Sequence, residues 1–220
     1  MEFDKVLENR HSVREYENKS IDDEDLGEIL LAAESAPLAG NIQNCKLILV
    51  KDTKTIKEIA FASLKQNWME KAKADIIVCS NNKDLEKLYQ DKTEFYAVQN
   101  SSLIAENIML KAAALEIGSC FVSGFNESQI RRVLKIPKEI KIHAIITLGY
   151  GKSEPTLKTP VENFLYFEEW GSNEKAFQPL LKKTLELKED SKKISQTLKD
   201  DFKTFFTKLK ELFKKKEPTS

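Results

Sequence analysis

Arg10-His11-Ser12-Val13-Arg14 places two guanidiniums and a hydroxyl within five residues. That set suits a phosphate dianion, because forked, charge-assisted hydrogen bonds match its geometry. A second candidate runs from Ser35 to Gln43, where Pro37 breaks a helix, Gly40 frees the backbone, and Asn41 and Gln43 offer both donors and acceptors. Such a loop can lie along a flat heterocycle. The third is Gly118-Ser-Cys-Phe-Val-Ser-Gly-Phe125, with a glycine between a buried strand and a helix, where backbone can approach a ligand closely. The fourth is Leu148-Gly-Tyr-Gly-Lys-Ser-Glu-Pro155 followed by Lys158, in which lysines after a glycine-ended strand could close a phosphate site. Taken singly, each is also an ordinary turn, connection or solvated basic stretch.

Composition narrows the chemistry these residues can serve. In 220 residues, 35 Lys plus Arg balance 35 Asp plus Glu, and 41% are apolar, with 12 Phe, 5 Tyr and 2 Trp. That content fills a core and excludes global disorder. Zero net charge argues against a dedicated nucleic-acid binder, whose affinity rests on neutralising phosphates, so no nucleic acid is expected as a partner. Cys45, Cys79 and Cys120 are odd in number and widely spaced, without a CxxC, and form no disulfide framework. His11 and His143 are too few for an ordinary zinc site, and no metal is expected. Neither HExxH nor GxSxG occurs. The start, Met1 to Arg10, lacks the apolar stretch of a secretory signal, and no run approaches the ~20 apolar residues of a membrane span. A soluble protein of the reducing cytoplasm is the expectation.

The elements that must hold these candidates read as alternating helices and strands. Phe3, Val6 and Leu7 mark one face of a short helix, followed by a polar turn through Arg10, His11 and Ser12. Acidic Asp22 to Asp25 open a second helix that runs to about Ala36. Lys46 to Val50 reads as a buried strand, Lys57 to Met69 as a helix and Ile76 to Cys79 as a strand. Thr93 to Ile117 is apolar on nearly all faces between Leu103 and Leu115, the pattern of a core helix, with Gly118 placed to cap it. Cys120 to Val122, Glu127 to Leu134 and Ile142 to Leu148 read as strand, helix and strand. The fold class is α+β (α/β layered). Lys83 to Phe95 is charged, with Tyr89 and Tyr96 nearby, and reads as a solvated helix with the makings of a lid. From Lys182 to Glu217 there are 12 Lys against 7 Asp plus Glu, and Leu198, Phe202, Phe205, Phe206, Leu209, Leu212 and Phe213 recur at helical spacing. This gives two expected parts: a domain over residues 1–171 and a Lys/Phe-rich helical extension over 172–220.

Together and in order, the four segments resemble the FMN-dependent nitroreductase family, over about Phe3 to Gly171. The landmarks are Arg-His-Ser-x-Arg, Ala-Pro-x-Ala-Gly-Asn-x-Gln, the helix from Ala105-Glu-Asn107 to Gly118-Ser-Cys120, Leu148-Gly-Tyr-Gly151 and the closing Phe167-Glu-Glu-Trp-Gly171. The resemblance implies a central, mostly antiparallel sheet flanked by helices, in an intertwined homodimer with FMN at the interface. It assigns the FMN phosphate to Arg10 and Ser12, with His11 lying between them in the binding stretch and taking no catalytic role. Arg14 falls nearer the ribityl chain or pyrimidine edge, where a cation favours the negative charge of the reduced ring. Pro37, Leu38, Ala39, Gly40 and Asn41 would border the isoalloxazine from the partner subunit. Gln66 matches a residue on the flavin pyrimidine, Ser123-Gly124 the place where a backbone N–H reaches flavin N5, and Lys158 a basic residue on the phosphate. Only one basic residue precedes Pro160 where many members have two, and Lys152 is available to compensate.

The reaction implied is a hydride relay from NADH or NADPH, a transient donor, to a nitroaromatic, quinone or similar small electrophile. Two alternatives stay open. One keeps FMN and changes the chemistry to reductive dehalogenation or another reaction run on relatives of this fold. The other is a flavin-binding protein that associates with a membrane or partner through the amphipathic tail, an association weighed against packing of the same Phe face on the partner subunit.

Overall fold

The computed structural model describes residues 2–151, 159–166 and 168–172. The chain divides into two compact units, Met1–Thr156 and Leu157–Ser220. In the first, α1 (Phe3–Asn9) and α2 (Asp23–Leu31) precede β1 (Cys45–Val50), α3 (Thr53–Ala62) and β2 (Ala74–Asn81). Then come α4 (Lys83–Tyr89), α5 (Thr93–Ala114), β3 (Gly118–Val122), α6 (Glu127–Leu134) and β4 (Ile140–Gly149). The four strands form one sheet in the order β1-β2-β4-β3, every pair antiparallel. In the second unit, a single helical turn at Val161–Asn163 follows Pro160, and the Tyr166 and Trp170 rings lie 4.9 Å apart. Lys152, Lys158 and the Lys/Phe-rich tail lie outside the described residues.

The central strands are apolar on both faces because both faces are covered. On one side Ile76, Val78, Ala144, Ile146 and Leu148 pack against Leu26 and Ile29 of α2 and Ile104, Ile108 and Ala112 of α5. On the other, Ile77, Cys79 and Ile145 meet Ile56 and Ile59 of α3 and Ile130 of α6. Burying side chains of this size on both faces supplies the main driving force for the three layers. Asp52 caps α3 by accepting from the Thr55 N–H at 2.8 Å, and Asn126 caps α6 by accepting from the Gln129 N–H at 3.0 Å.

Several expectations are corrected. Residues 10–12 are extended rather than turned: Ser12 bridges Ser119 in parallel and the Val13 N–H donates to the Ser119 carbonyl at 2.9 Å, covering the edge strand β3. The helix read over Lys57 to Met69 starts at Thr53 and breaks after Ala62, with Leu64 and Lys65 at positive φ. Gly118 does not cap α5; Glu116 takes the left-handed position (φ 61°), and Gly118 opens β3 because a Cβ there would stand 2.8 Å from Val13. Helix α5 is not buried all round within one chain, since Val98 and Leu103 are exposed.

Candidate active site

Segment 10–17 threads past the ends of β3 and β4. The Glu17 N–H donates to the Tyr150 carbonyl at 2.7 Å, and the Tyr16 and Thr147 hydroxyls are 2.6 Å apart. Burial holds the Tyr16 phenol well above the usual range. The glycines of Leu148-Gly-Tyr-Gly exist for this passage. A Cβ on Gly149 would stand 2.7 Å from the Tyr16 ring, and one on Gly151 would stand 2.0 Å from the Glu15 carbonyl oxygen. Packing of Val13 and Tyr16 leaves Arg14 and Glu15 exposed between them, with Arg10, His11 and Ser12 half-buried before them.

Those side chains form a cationic strip. Arg10 Nε lies 3.7 Å from Glu106 Oε1 of α5, a half-exposed pair that sets its direction. The Ser12 hydroxyl reaches the Cys120 thiol, whose pKa burial raises and Arg14 lowers. The Arg14 guanidinium carbon sits 5.9 Å from the Trp68 ring centroid, and among the described residues no carboxylate pairs with it. His11 donates from Nδ1 to the Asn9 carbonyl, 2.6 Å away, while its buried Nε2 has no partner among the described residues. A cavity of about 230 Å³ opens beside it, lined by Arg10, His11, Glu116, Gly118, Ser119 and Gly151 among others.

Gln66 and Gly124 meet across 58 residues of chain: Gln66 Nε2 donates to the Gly124 carbonyl at 3.3 Å. Asn126 N–H donates to the Ala62 carbonyl at 2.8 Å, tying the loop after β3 to the end of α3. Among the described residues the Gly124 N–H donates to nothing, and Ser123 beside it is exposed. Sequence reasoning thus placed two residues that the fold brings into contact.

Loop 37–41 stands elsewhere. Ala39 N–H donates to Asn100 Oδ1 at 2.9 Å, Asn100 Nδ2 to Asn44 Oδ1 at 2.8 Å, and Asn44 Nδ2 to Asn82 Oδ1 at 3.2 Å. Gly40 has φ 60°, and a Cβ on it would stand 2.9 Å from Leu88 of α4. Pro37, Gly40 and Asn41 are exposed, with Leu38 and Ala39 half-buried. This anchorage adjoins β1, whereas Ser12 adjoins β3, and those strands are opposite edges of the sheet. Three strand spacings separate them, about 14 Å. One chain therefore does not bring loop 37–41 to the Arg10–Ser12 strip.

Sequence reasoning missed Trp68, under Arg14, and Glu106, beside Arg10. It also missed Asp75, fully buried on β2 with neither carboxylate oxygen partnered among the described residues, whose pKa burial pushes up to about 8. A lone acid inside the apolar run Ala74 to Cys79 was the available signal for Asp75; nothing local marks the other two.

Comparison with known proteins identifies the family and the fold. The model of the nitroreductase family matches residues 7–150. An Archaeoglobus fulgidus protein, by name a candidate NADH dehydrogenase/NAD(P)H nitroreductase, is 33% identical over 174 residues, covering 76% of this chain and 97% of its own. The crystal structure of a nitroreductase family protein from Clostridium novyi NT superposes with TM-score 0.64 at 28% identity, over 78% of this chain and 96% of that one. An FMN-dependent nitroreductase from Clostridium difficile R20291 gives TM-score 0.65 at 22% identity, over 76% and 99%, a likeness of fold. With its motifs set in this all-antiparallel sheet and the match spanning β1 to β4, the chain belongs to the nitroreductase family of oxidoreductases.

Proposed function

We propose that this chain is an FMN-dependent oxidoreductase that draws hydride from NADH or NADPH and reduces quinones, nitroaromatics or similar small electrophiles, acting as a homodimer. The observation that carries the reading is the Gln66–Gly124 contact. It fixes a loop whose Gly124 N–H is left free to donate, close in sequence to the strand that Ser12 and Arg14 flank. The residues present fit FMN: two guanidiniums and a hydroxyl for the phosphate and pyrimidine ends, and an unused backbone donor for the ring. The name of the Clostridium difficile relative supports the choice of flavin, and that of the Archaeoglobus relative the choice of donor.

Bound FMN supplies the two-electron step, so that NAD(P)H, a proton and a quinone yield NAD(P)+ and a hydroquinone. The protein binds and orients. Arg10 and Ser12 hold the phosphate by charge-assisted hydrogen bonds, with Glu106 fixing the Arg10 side chain. Arg14, steadied over Trp68, presents positive charge to the pyrimidine edge. Gly124 donates its N–H at flavin N5, and Gln66 holds that loop in place while serving the pyrimidine. Ser123 shares the loop.

The dimer is supported by two features. Loop 37–41 faces outward, far from its own chain's Arg10 and Ser12. Phe3 and Leu7 of α1 and Phe95, Val98 and Leu103 of α5 are all exposed, an apolar set that a second copy would cover. Among the described residues, no helix is long and apolar enough to cross a membrane.

The test is reconstitution of flavin-free protein with FMN, followed by NADH and NADPH consumption with and without a quinone. Quinone-dependent consumption that needs FMN is expected. Consumption that is absent at saturating FMN would remove the reading.

A further inference from the structure

Helix α3 stops at Ala62, and the chain turns through two successive left-handed residues, Leu64 (φ 57°) and Lys65 (φ 57°). That conformation is costly for any residue with a Cβ, and a leucine there is uncommon. Packing does not account for it, because Leu64 is 72% exposed. Hydrogen bonds do hold the turn: Lys65 N–H donates to the Phe61 carbonyl at 3.2 Å, Gln66 N–H to Ser63 at 3.2 Å, and Asn67 N–H to Lys65 at 2.9 Å. Strain that the surroundings enforce is most often found where a site must be shaped.

The shape made here is specific. Leu64 Cδ1 lies 3.3 Å from the point where a Cβ on Gly124 would stand, and Gln66 Nε2 lies 3.9 Å from the same point. Phe61, one turn earlier, is also exposed and carries the Lys65 ammonium 5.9 Å from its ring centroid. An exposed apolar side chain is thus held against Gly124 by a backbone that a glycine would adopt more readily.

We propose that Leu64 is a specificity residue, an apolar wall beside Gly124 against which the flat ring of a quinone rests during reduction. The inference deepens the flavin reading above and rests on it. A branched apolar side chain there favours a planar, weakly hydrated oxidant and excludes water from the face it meets. The same logic explains why the position holds leucine in spite of the backbone.

The experiment compares wild type with Leu64→Gly and Leu64→Met in three readouts. The first is thermal unfolding of the flavin-free protein, where Leu64→Gly is expected to match or exceed wild type, because glycine relieves the positive φ. The second is FMN affinity, expected to stay within twofold. The third is binding of menadione (2-methyl-1,4-naphthoquinone) to the oxidised FMN-loaded protein without reductant, followed by the flavin absorbance. Leu64→Gly should weaken it five- to thirtyfold, and Leu64→Met should restore it. Menadione affinity unchanged in Leu64→Gly, or a lowered unfolding temperature with that affinity intact, would overturn the inference while leaving the flavin reading standing. Failure of the wild-type protein to bind FMN would overturn both.

Discussion

Arg10, Ser12 and Arg14 differ in what they can lose. Replacing Arg10 and Ser12 together by Ala removes charge-assisted bonds worth roughly 1.5–3 kcal/mol each. FMN affinity should then fall at least tenfold by fluorescence titration, while Cys45→Ala, buried against Ser101, should leave it unchanged. Flavin affinity intact in the double variant would refute the phosphate assignment. Asp75 makes a different prediction. Its folded pKa of about 8 lies far above the unfolded carboxylate value, so the buried acid stays neutral while the unfolded one ionises. Its contribution is intact at the lowest pH and is lost progressively as pH rises from about 4 towards 8. Asp75→Asn removes that penalty and should raise Tm at pH 8 by roughly 5–10 °C, with little change at pH 4. A Tm gain equal at both pH values would show that ionisation is not the cause. His143 runs the other way: burial lowers its pKa, so the neutral ring, 2.7 Å from the Ser80 hydroxyl, is favoured and stability falls as pH drops below about 6.5.

At the scale of elements, the anchorage of loop 37–41 rests on one residue of α5. Asn100, buried, accepts from the Ala39 N–H and donates to Asn44. Asn100→Ala deprives the Ala39 N–H of its acceptor and Asn44 Oδ1 of its amide donor, and should cost about 1–3 kcal/mol in a denaturant titration. Stability within a few tenths of wild type would mean water replaces the amide. Much of this architecture was readable beforehand. Glu127 to Leu134 is a helix as its pattern requires, and the apolar runs at β1, β2 and β4 became strands, each extending beyond the run that was read. Apolar periodicity reports burial directly, and burial decides these elements. The break in α3 was not readable, because Leu64 and Lys65 carry no glycine or proline signal for their positive φ. Glu116 took the left-handed position that the nearby Gly118 advertised, since Gly118 was needed against Val13. Of the site, the residue types were legible, whereas the Gln66–Gly124 contact, the extended Arg10–Ser12 strand and the Arg14–Trp68 pairing arise from tertiary packing between distant segments.

At the scale of the whole molecule, the proposed dimer joins the two halves of the site that one chain keeps apart. Leu103→Glu puts a charge into the exposed apolar face of α5 and should convert the dimer to monomer in sedimentation, with flavin lost in parallel. A monomeric variant that keeps full FMN affinity would show that loop 37–41 takes no part in the site. The central claim is that this fold holds a flavin that exchanges hydride with a nicotinamide. The most direct measurement is the visible spectrum of the FMN-loaded protein, taken anaerobically before and after NADH or NADPH and again after a quinone. The account predicts a yellow protein that bleaches with one or both nucleotides and regains its colour with the quinone. A protein that cannot be loaded with FMN, or a bound flavin that neither nucleotide bleaches, would contradict it.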